Sequence, residues 1–263
     1  MSTGAACSAA RNGERDMEQQ KAIYDDENFF SNYLQIRADK DNYTDMIEQP
    51  AVFGLLGDVR GKRVLDIGCG YGTTASAVAA AGAASVLGID PSEKMVAKAV
   101  AENTFANVAY RLLAAEDMHV LTDTFDVVVS CLALHYMENL NAIFANIRKV
   151  LPDGGTLVFS MEHPIYTACH ERQDWICGSD GHARAYILDH YAAEGERNVV
   201  WLGKAVRKYH HTLSTVFNAL LANGFLLEQI VEPAPTEEML ARVPRTFREL
   251  HRPAYLLVRC RKA

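Results

Sequence analysis

A glycine-rich turn that follows a buried apolar run is the feature that most constrains the fold of this chain. The run Arg63–Ile67 predicts a short buried strand, and three glycines at alternate positions then let the backbone turn tightly into a helix. A second apolar run, residues 85–89, ends at the acidic residue Asp90. This order of strand, turn, helix and strand indicates a Rossmann-like unit with a nucleotide-type ligand site at the end of a parallel sheet.

The spacing of the glycines and a nearby acid indicate which ligand the turn binds. Gly68, Gly70 and Gly72 follow a G-x-G-x-G pattern, whereas a dinucleotide-binding turn requires G-x-G-x-x-G. Asp66, just before the turn, would repel a pyrophosphate but suits a cationic ligand such as the sulfonium and ammonium of S-adenosylmethionine. Asp90 lies where a carboxylate accepts hydrogen bonds from two ribose hydroxyls. The two acids therefore favour S-adenosylmethionine over NAD.

These residues resemble motif I of the class I S-adenosylmethionine-dependent methyltransferases, and four further segments extend the resemblance. Residues 87–90 resemble the second-strand acid of that family, and residues 115–118 resemble its acidic loop on the adenine side. Residues 125–136 resemble its fourth strand and active-site loop, and residues 151–160 the turn and strand that follow. The chain is most similar to the small-molecule branch of the ubiquinone-biosynthesis type, methyltransferase type 11.

The resemblance implies an enzyme that transfers a methyl group from S-adenosylmethionine to an oxygen, nitrogen or carbon atom of a small-molecule metabolite. It also implies that Tyr24, Tyr33 and Arg37 close over the cofactor from N-terminal helices, with Arg37 pairing with its carboxylate. The other residues expected to bind the cofactor are Asp66, Gly68, Cys69, Gly70, Gly72, Asp90, Pro91, Met95, Glu116, Asp117, Met118, Ser130 and Leu132.

Three residues after the predicted fourth and fifth strands are candidates for acid–base catalysis. A hydroxyl or amine acceptor must lose a proton, and histidine titrates closest to neutral pH. His135 follows the fourth strand, and Glu162 and His163 follow the fifth, where Pro164 restricts His163 to an extended backbone. Each of the three has a structural hydrogen-bonding role as its alternative. An acceptor that is already nucleophilic needs none of them.

Residues 161–211 predict an insertion before the sixth strand, which we interpret as a substrate lid. The segment is too long for an ordinary connection and is rich in Tyr, Trp and His, the residue types of a small-molecule pocket. Trp201 and Tyr186 are expected mainly to attach the lid to the sheet. The expected substrate contacts are Tyr166, Trp175, His190, Tyr191, Tyr209 and His210.

The alternation of strands and helices predicts an α/β fold with a doubly wound, seven-stranded sheet preceded by N-terminal helices. Residues 1–15 are small and polar and predict a disordered tail, and residues 16–263 predict a single domain. Ser92 is the expected N-cap of the helix after the second strand. In the resembled family the last strand is antiparallel, which this sequence does not itself show. The expected strands span residues 63–67, 85–89, 108–112, 125–130, 156–160, 225–231 and 255–260.

Composition narrows the possible partners. A net charge of -7 and the lack of a basic stripe argue against a nucleic-acid partner, and no apolar run is long enough to span a membrane. The six cysteines lack a C-x-x-C pattern, which fits reduced thiols in a cytoplasmic protein. Cys169, His170, Cys177 and His182 match no usual zinc spacing, so no metal is expected. We expect a monomer or a homodimer.

Two alternative functions remain open from the sequence. Residues that bind a cofactor do not establish turnover, so a non-catalytic S-adenosylmethionine-binding regulator or subunit on the same fold is the first alternative. The second is an NAD-dependent oxidoreductase, which the glycine spacing and Asp66 disfavour.

Overall fold

A seven-stranded sheet forms the centre of the protein. The computed structural model describes residues 23–169 and 175–263, so the tail predicted for residues 1–15 lies outside the described residues. The strands of the central sheet are β1 (Arg63–Ile67), β2 (Ser85–Asp90), β3 (Val108–Leu112), β4 (Val127–Cys131), β5 (Thr156–Glu162), β10 (Phe225–Val231) and β11 (Tyr255–Lys262). They lie in the order β10-β11-β5-β4-β1-β2-β3, and β11 is antiparallel to both of its neighbours. The sheet confirms the predicted fold class.

Helices cover the sheet and precede it. Ser92 accepts a hydrogen bond from the Met95 amide and caps its helix as predicted, and Asp26 caps the first described helix. No helix within residues 23–169 and 175–263 combines the length and apolarity needed to cross a lipid bilayer. The α-helices are α1 (Glu27–Ala38), α2 (Gln49–Leu56), α3 (Thr73–Ala80), α4 (Glu93–Glu102), α5 (Leu140–Val150), α6 (Pro164–Thr167), α7 (Leu213–Ala222) and α8 (Glu237–Arg242). Shorter turns are the π-helical Thr44–Glu48 and the 3-10 segments Ala115–Val120, Leu134–Tyr136 and Pro244–Leu250.

The two faces of the sheet bury separate apolar cores. Successive side chains of a strand point to opposite faces, so Val64 joins one core while Leu65 joins the other. Helices α5 and α7 pack on the Leu65 side, and α2 and α3 pack on the Val64 side. Burial on both faces explains why the inner strands β1, β4 and β5 are largely apolar in the sequence.

The insertion predicted at residues 161–211 contains two antiparallel hairpins outside the central sheet. The first pairs β6 (Trp175–Cys177) with β7 (Ala183–Tyr186), and the second pairs β8 (Gly195–Trp201) with β9 (Lys204–His210). The second hairpin turns at Leu202 and Gly203, which both have positive φ, as a two-residue hairpin turn requires. We call this second unit, residues 195–210, the insertion hairpin.

Replacement of Phe144 by alanine tests the core between the sheet and α5. The Phe144 ring is fully buried, with ring centroids 5.7 Å from Phe159 and 6.4 Å from Phe225. We expect Phe144→Ala to lower the free energy of unfolding by about 3–5 kcal/mol, measured by urea denaturation, because it leaves a cavity in a close-packed region. The exposed Phe247 is the matched control, and we expect Phe247→Ala to cost less than about 1 kcal/mol. Equal losses in the two variants would contradict this description of the core.

Candidate functional site

A cavity of about 940 Å³ lies at the carboxyl edge of the parallel strands. One part of it, the glycine-turn lobe, is lined by residues 68–71 after β1 and residues 90–92 after β2. The other part, the hairpin lobe, is lined by His135, Glu162, Tyr166, Trp201 and Lys208. Because the carboxyl ends of parallel strands meet at one edge, polar residues far apart in sequence line one space.

The glycine turn is fastened to the end of β2. The amides of Gly68 and Cys69 both donate to the Ile89 carbonyl, at 2.8 and 3.0 Å. Asp90 accepts from the Gly70 amide through Oδ2 and from the Ser92 amide through Oδ1, both at 2.9 Å. The Asp90 carboxylate therefore bridges the turn and the start of α4, and each of its oxygens keeps a lone pair for a ligand.

The glycines of the turn serve two different purposes. At Gly68 a Cβ atom would lie 2.4 Å from the Cβ of Ala133, so the lack of a side chain lets the loop after β4 pack closely. Gly70 has a φ of +53°, and a Cβ there would meet only the Met95 sulfur, at 3.9 Å. Since Gly70 lines the cavity, its bare backbone leaves room for a ligand to approach. Gly72 packs against Tyr110 and does not line the cavity.

Two buried carboxyl groups lie next to this turn. Burial raises the pKa of Asp66 to about 7, and the charge of Asp90 adds to the shift. The Ala75 amide opposes it weakly, although within the described residues neither oxygen of Asp66 has a partner at hydrogen-bond geometry. Burial also raises the pKa of Asp90 to about 6, against the amides of Ser92 and Gly70. Asp66 does not itself line the cavity, so its effect on a ligand there is that of a nearby negative charge.

Residues 24–26 connect the glycine-turn lobe with the insertion hairpin. Asp25 accepts hydrogen bonds from the Ser92 hydroxyl at 2.6 Å and from the Lys94 amide at 3.0 Å. Asp26 forms an ion pair with Lys204 of the hairpin at 2.9 Å. Tyr24 lines the cavity, and its hydroxyl is 2.9 Å from that of Tyr136. The start of the described chain thus bridges two sides of the cavity.

Aromatic rings from α1 and the hairpin meet above this bridge. The Trp201 ring packs edge-on against Phe29 and Tyr33, with centroids 5.4 and 5.9 Å apart. Trp201 and Tyr33 both line the cavity, so Trp201 does more than attach the insertion to the sheet. Arg37 also lines the cavity, where its guanidinium pairs with Asp45 at 2.9 Å and donates to Asn42 at 3.2 Å.

The hairpin lobe contains a buried ion pair. Nζ of Lys208 on β9 is 2.5 Å from Oε1 of Glu162 at the end of β5. Burial is the largest single influence on the pKa of Glu162 and would raise it, but the charge and hydrogen bond of Lys208, with smaller contributions from His135 and Arg252, together lower that pKa overall. Burial would likewise lower the pKa of Lys208, but the charge and hydrogen bond of Glu162, together with nearby tyrosines, raise it overall. Both side chains are therefore ionised at neutral pH.

His135 lies beside this pair in its neutral form. Burial lowers the pKa of His135 to about 4, Glu162 opposes the shift, and Lys208 adds to it. Nδ1 of His135 accepts a hydrogen bond from the backbone amide of Glu162 at 3.3 Å. In the neutral ring, the remaining proton is then on Nε2. His135 can accordingly donate a hydrogen bond, but in this tautomer it does not act as a base.

Leu132 places the loop after β4 in an uncommon backbone conformation. Its φ is +52°, in the left-handed region that a leucine seldom adopts. Its amide donates to both the hydroxyl and the carbonyl oxygen of Ser160, at 3.0 and 3.1 Å. The Ser160 hydroxyl also bonds to the buried carboxyl group of Glu48. This bonding holds Leu132 at the cavity wall, where such strain is often found.

His163 is placed differently from the sequence expectation. It is fully buried and does not line the cavity. Its Nδ1 accepts from the Ile165 amide and so caps α6, while its Nε2 is 2.7 Å from Glu232. Pro164 occupies the first turn of that short helix, so the sequence pattern at this point marks a helix start.

Several expected cofactor residues also lie away from the cavity. Met118 is buried in the core beneath α5, and the carbonyl of Glu116 accepts from Asn146 of that helix. Ser130 is buried, and its hydroxyl donates to the Ile67 carbonyl at 3.0 Å. Asp117 shares the 3-10 turn of Glu116 and lies outside the cavity lining. The expected cofactor residues that do line it are Tyr24, Tyr33, Arg37, Gly68, Cys69, Gly70, Asp90, Pro91, Met95 and Leu132.

Of the substrate contacts expected in the insertion, Tyr166 lines the cavity. Trp175 packs beside Tyr186 and over the guanidinium of Arg252. The other four lie outside the cavity lining. His190 pairs with Asp189, Tyr191 accepts from the Leu213 amide, Tyr209 stacks near His211, and His210 bonds to Thr167 and to the Tyr191 carbonyl.

Three residues that line the cavity were not predicted from the sequence as site residues. They are Lys208, Tyr136 and Trp201. Alternation along β9 places Lys204, Val206 and Lys208 on one face, but only the fold shows that this face meets the cavity. As for a metal, the described residues contain no group of three or more His, Cys, Asp or Glu side chains arranged to hold one. His170, part of the zinc pattern considered above, lies outside the described residues.

Comparisons with known proteins give one family and several full-length relatives. A family of methyltransferase domains, Methyltransf_11, matches residues 65–159. An uncharacterized protein of Haemophilus influenzae is 36% identical over 256 residues, which cover 94% of this chain and 99% of that protein. A crystal structure titled S-adenosylmethionine dependent methyltransferase from Mesorhizobium loti is 40% identical, with a TM-score of 0.76 over 82% of this chain and 97% of that one.

A shorter match connects the chain to proteins of named activity. The ubiquinone biosynthesis O-methyltransferase of Rhizobium etli is 36% identical over 101 residues. This match covers 38% of the present chain and 40% of the Rhizobium protein. The similarity is thus confined to less than half of either protein.

The raised pKa of Asp66 predicts a pH-dependent cost to stability. Its folded-state pKa of about 7 exceeds the ordinary value of 3.8, so the folded protein binds more protons than the unfolded chain between these values. Stability therefore falls as pH rises through that window. We expect Asp66→Asn to gain about 2–3 kcal/mol over the wild type between pH 5 and pH 8, because one pKa unit corresponds to about 1.4 kcal/mol.

Urea denaturation of the ligand-free protein at several pH values measures this effect. The exposed Asp123 provides the control, and Asp123→Asn should follow the wild type at every pH. A constant difference between Asp66→Asn and the wild type would show that Asp66 does not titrate in this range.

Proposed function

Because this chain belongs to the class I S-adenosylmethionine-dependent methyltransferases, we propose that it transfers a methyl group from S-adenosylmethionine to an oxygen, nitrogen or carbon atom of a small-molecule metabolite. Membership follows from 40% identity to the S-adenosylmethionine dependent methyltransferase of Mesorhizobium loti, matched over 82% of this chain and 97% of that one, together with the matching domain family. S-adenosylmethionine is the cofactor of the family. The atom that accepts the methyl group, and the acceptor itself, are part of the proposal.

The glycine-turn lobe has the features that this cofactor needs. The Asp90 oxygens each keep a lone pair for a ribose hydroxyl, and the bare backbone at Gly70 leaves room at the cavity wall. Among the described residues the Asp66 oxygens have no hydrogen-bond partner, and a cationic ligand nearby would favour the ionised form of this carboxyl group. We propose that Asp90 and the turn hold the cofactor with Pro91, Met95 and Leu132 at the wall. When bound, the cofactor supplies a methyl group activated by a positively charged sulfur.

The single observation that carries the proposal is that the cavity continues past this lobe. The same cavity is lined by Asp90 at one end and by Glu162 and Lys208 at the other. Its volume of about 940 Å³ is near the upper end of the roughly 300–1,000 Å³ typical of small-molecule sites. A cofactor and a small acceptor can therefore lie in one continuous cavity, which a direct transfer between them requires.

We assign the contacts with the acceptor to residues of the hairpin lobe. We propose that Glu162, an ionised carboxylate, accepts a hydrogen bond or a proton from the acceptor. His135 donates a hydrogen bond through Nε2. His163 was also a leading catalytic candidate, but its burial and its bond to Glu232 give that role no support. The rings of Tyr24, Tyr136 and Trp201 enclose the lobe and exclude water.

We also propose that the insertion hairpin acts as a lid together with α1. The Lys204–Asp26 ion pair and the Trp201 contacts with Phe29 and Tyr33 hold the two elements together. Asp25 in turn holds the start of α1 against Ser92, next to Asp90. Movement of the hairpin therefore affects the mouth of the glycine-turn lobe as well as the hairpin lobe.

The two tryptophans of the insertion provide a matched test of the lid. Trp201→Ala removes the ring contacts to α1, so we expect S-adenosylhomocysteine to dissociate at least about threefold faster, measured by stopped-flow displacement. Trp175 belongs to the same insertion but packs on Arg252 outside the cavity lining. Trp175→Ala should leave the rate within twofold of the wild type. Equal rates in all three proteins would rule out a lid that involves Trp201.

Calorimetric titration tests the cofactor role of Asp90. We expect the wild type to bind S-adenosylmethionine and S-adenosylhomocysteine and not NAD. Asp90→Ala should weaken both affinities at least about 30-fold, because hydrogen bonds to a charged group contribute about 1.5–3 kcal/mol. Asp123→Ala serves as the exposed control. Binding of NAD alone would overturn the assignment of the lobe.

Transfer itself is tested with S-adenosylmethionine labelled at the methyl group. The enzyme is incubated with a total extract of bacterial cells, and label is followed separately into metabolites and into protein and nucleic acid. We expect the wild type to produce labelled metabolites, and we expect Asp90→Ala to transfer little label to them. If the protein binds cofactor but labels no metabolite, the non-catalytic regulator becomes the better interpretation.

A further inference from the structure

The hairpin lobe places a negative and a positive charge side by side at the cavity wall. The Glu162 and Lys208 side chains are 16% and 9% exposed, so both are largely shielded from solvent. The Lys208 ammonium also lies 5.9 Å from the Tyr136 ring centre and 5.6 Å from that of Trp201. A ligand group that reaches this point meets both charges.

The pairing makes the site unfavourable to ligand groups of either charge. An ammonium near Glu162 is repelled by Lys208, and a carboxylate near Lys208 is repelled by Glu162, in a buried setting where such repulsion is strong. A hydroxyl carries no charge and both donates and accepts hydrogen bonds. It can donate to Glu162 and accept from Lys208 or from Nε2 of His135.

Two other charged groups near the lobe, both among the described residues, do not upset this balance. Arg197 also lines the cavity, but its guanidinium is held by the backbone carbonyls of Ala168, Ala193, Gly195 and Glu196. Arg252 adds positive potential at Glu162, and its own guanidinium lies under the rings of Tyr166 and Tyr186. Neither group is paired directly with Glu162 or Lys208.

We propose that the Glu162–Lys208 pair selects a neutral hydroxyl on a ring-containing acceptor as the group that receives the methyl. The rings of Tyr24, Tyr136, Tyr166 and Trp201 line the same lobe and offer flat apolar faces for the ring. This inference rests on the proposed methyltransferase function and narrows its acceptor to oxygen. Transfer forms a bond between the hydroxyl oxygen and the methyl carbon, the carbon–sulfur bond breaks with its electron pair left on sulfur, and the hydroxyl proton passes to Glu162.

Three probes of similar size test the charge selection directly. Benzyl alcohol, benzylammonium and benzoate share one ring and differ in the charge of the attached group. Their affinities for the complex with S-adenosylhomocysteine are measured by ligand-observed NMR, with the three probes at equal concentration at pH 7.5. We expect benzyl alcohol to bind at least about fivefold more tightly than either charged probe.

Substitution of one partner of the pair should change the order of the probes. Lys208→Met leaves Glu162 without its cation, so benzylammonium should become the tightest probe. Glu162→Gln leaves Lys208 without its anion, so benzoate should become the tightest. Lys62→Met is the matched control, since Lys62 is exposed just before β1 at the opposite edge of the sheet, and it should keep the wild-type order. If Glu162 and Lys208 only supported the fold, their substitution would weaken the binding of all three probes together.

The outcomes separate this inference from the proposed function. Tighter binding of a charged probe to the wild type overturns the selection of a hydroxyl, as does an unchanged order in both variants. Failure of all three probes to bind at 20 mM overturns it too, because the lobe then does not admit a one-ring ligand. Calorimetry of S-adenosylhomocysteine on each variant and the labelled-methyl assay report on the methyltransferase function independently.

Discussion

The bridge that Asp90 makes between the Gly70 and Ser92 amides is the interaction on which the site depends. It fixes the glycine turn after β1 against the start of α4 after β2, so two neighbouring strand ends form one wall. Ser92 then binds Asp25, which positions the start of α1. One carboxylate thereby sets the turn, the helix start and the segment that crosses the cavity mouth.

The burial of this carboxylate, together with that of Asp66, lowers the stability of the ligand-free protein. Asp66 and Asp90 are both buried, and each raises the free energy of the state in which both are ionised. A core that served stability alone would place apolar side chains at these positions. We interpret the two acids as groups that act on a cationic ligand. The rest of the fold is stable enough to tolerate their unfavourable burial.

The sequence predicts the sheet well because each strand is a local element, and the inner strands β1, β4 and β5 are buried on both faces. The bounds of β1, β3 and β10 match the expected ones, and the Ser92 cap lies where predicted, since each depends on residues within a few positions. The glycine turn and Asp90 were predictable because their chemistry is tied to the end of a strand. The antiparallel β11 was implied only by the family resemblance, since its direction depends on the connection through α8.

Residues of the insertion were harder to predict because their direction depends on hairpin register. A shift of one residue along β9 would turn Lys208 away from the cavity and Tyr209 toward it. Composition marked the region as a binding element but could not distinguish Trp201, which lines the cavity, from Trp175, which does not. His163 was misplaced for a related reason, because a polar residue after a strand can equally well begin the next helix.

The two lobes of the cavity are formed by different kinds of chain segment. This difference affects how the acceptor specificity of such a protein can evolve. The glycine-turn lobe comes largely from the continuous stretch that the domain family matches, residues 65–159. Lys208 and Trp201 of the hairpin lobe come from a hairpin that forms a two-stranded sheet of its own. Replacement or lengthening of that hairpin would exchange one acceptor chamber for another and leave the cofactor apparatus intact. New acceptor specificities can therefore evolve on this scaffold through substitutions that the domain signature does not record.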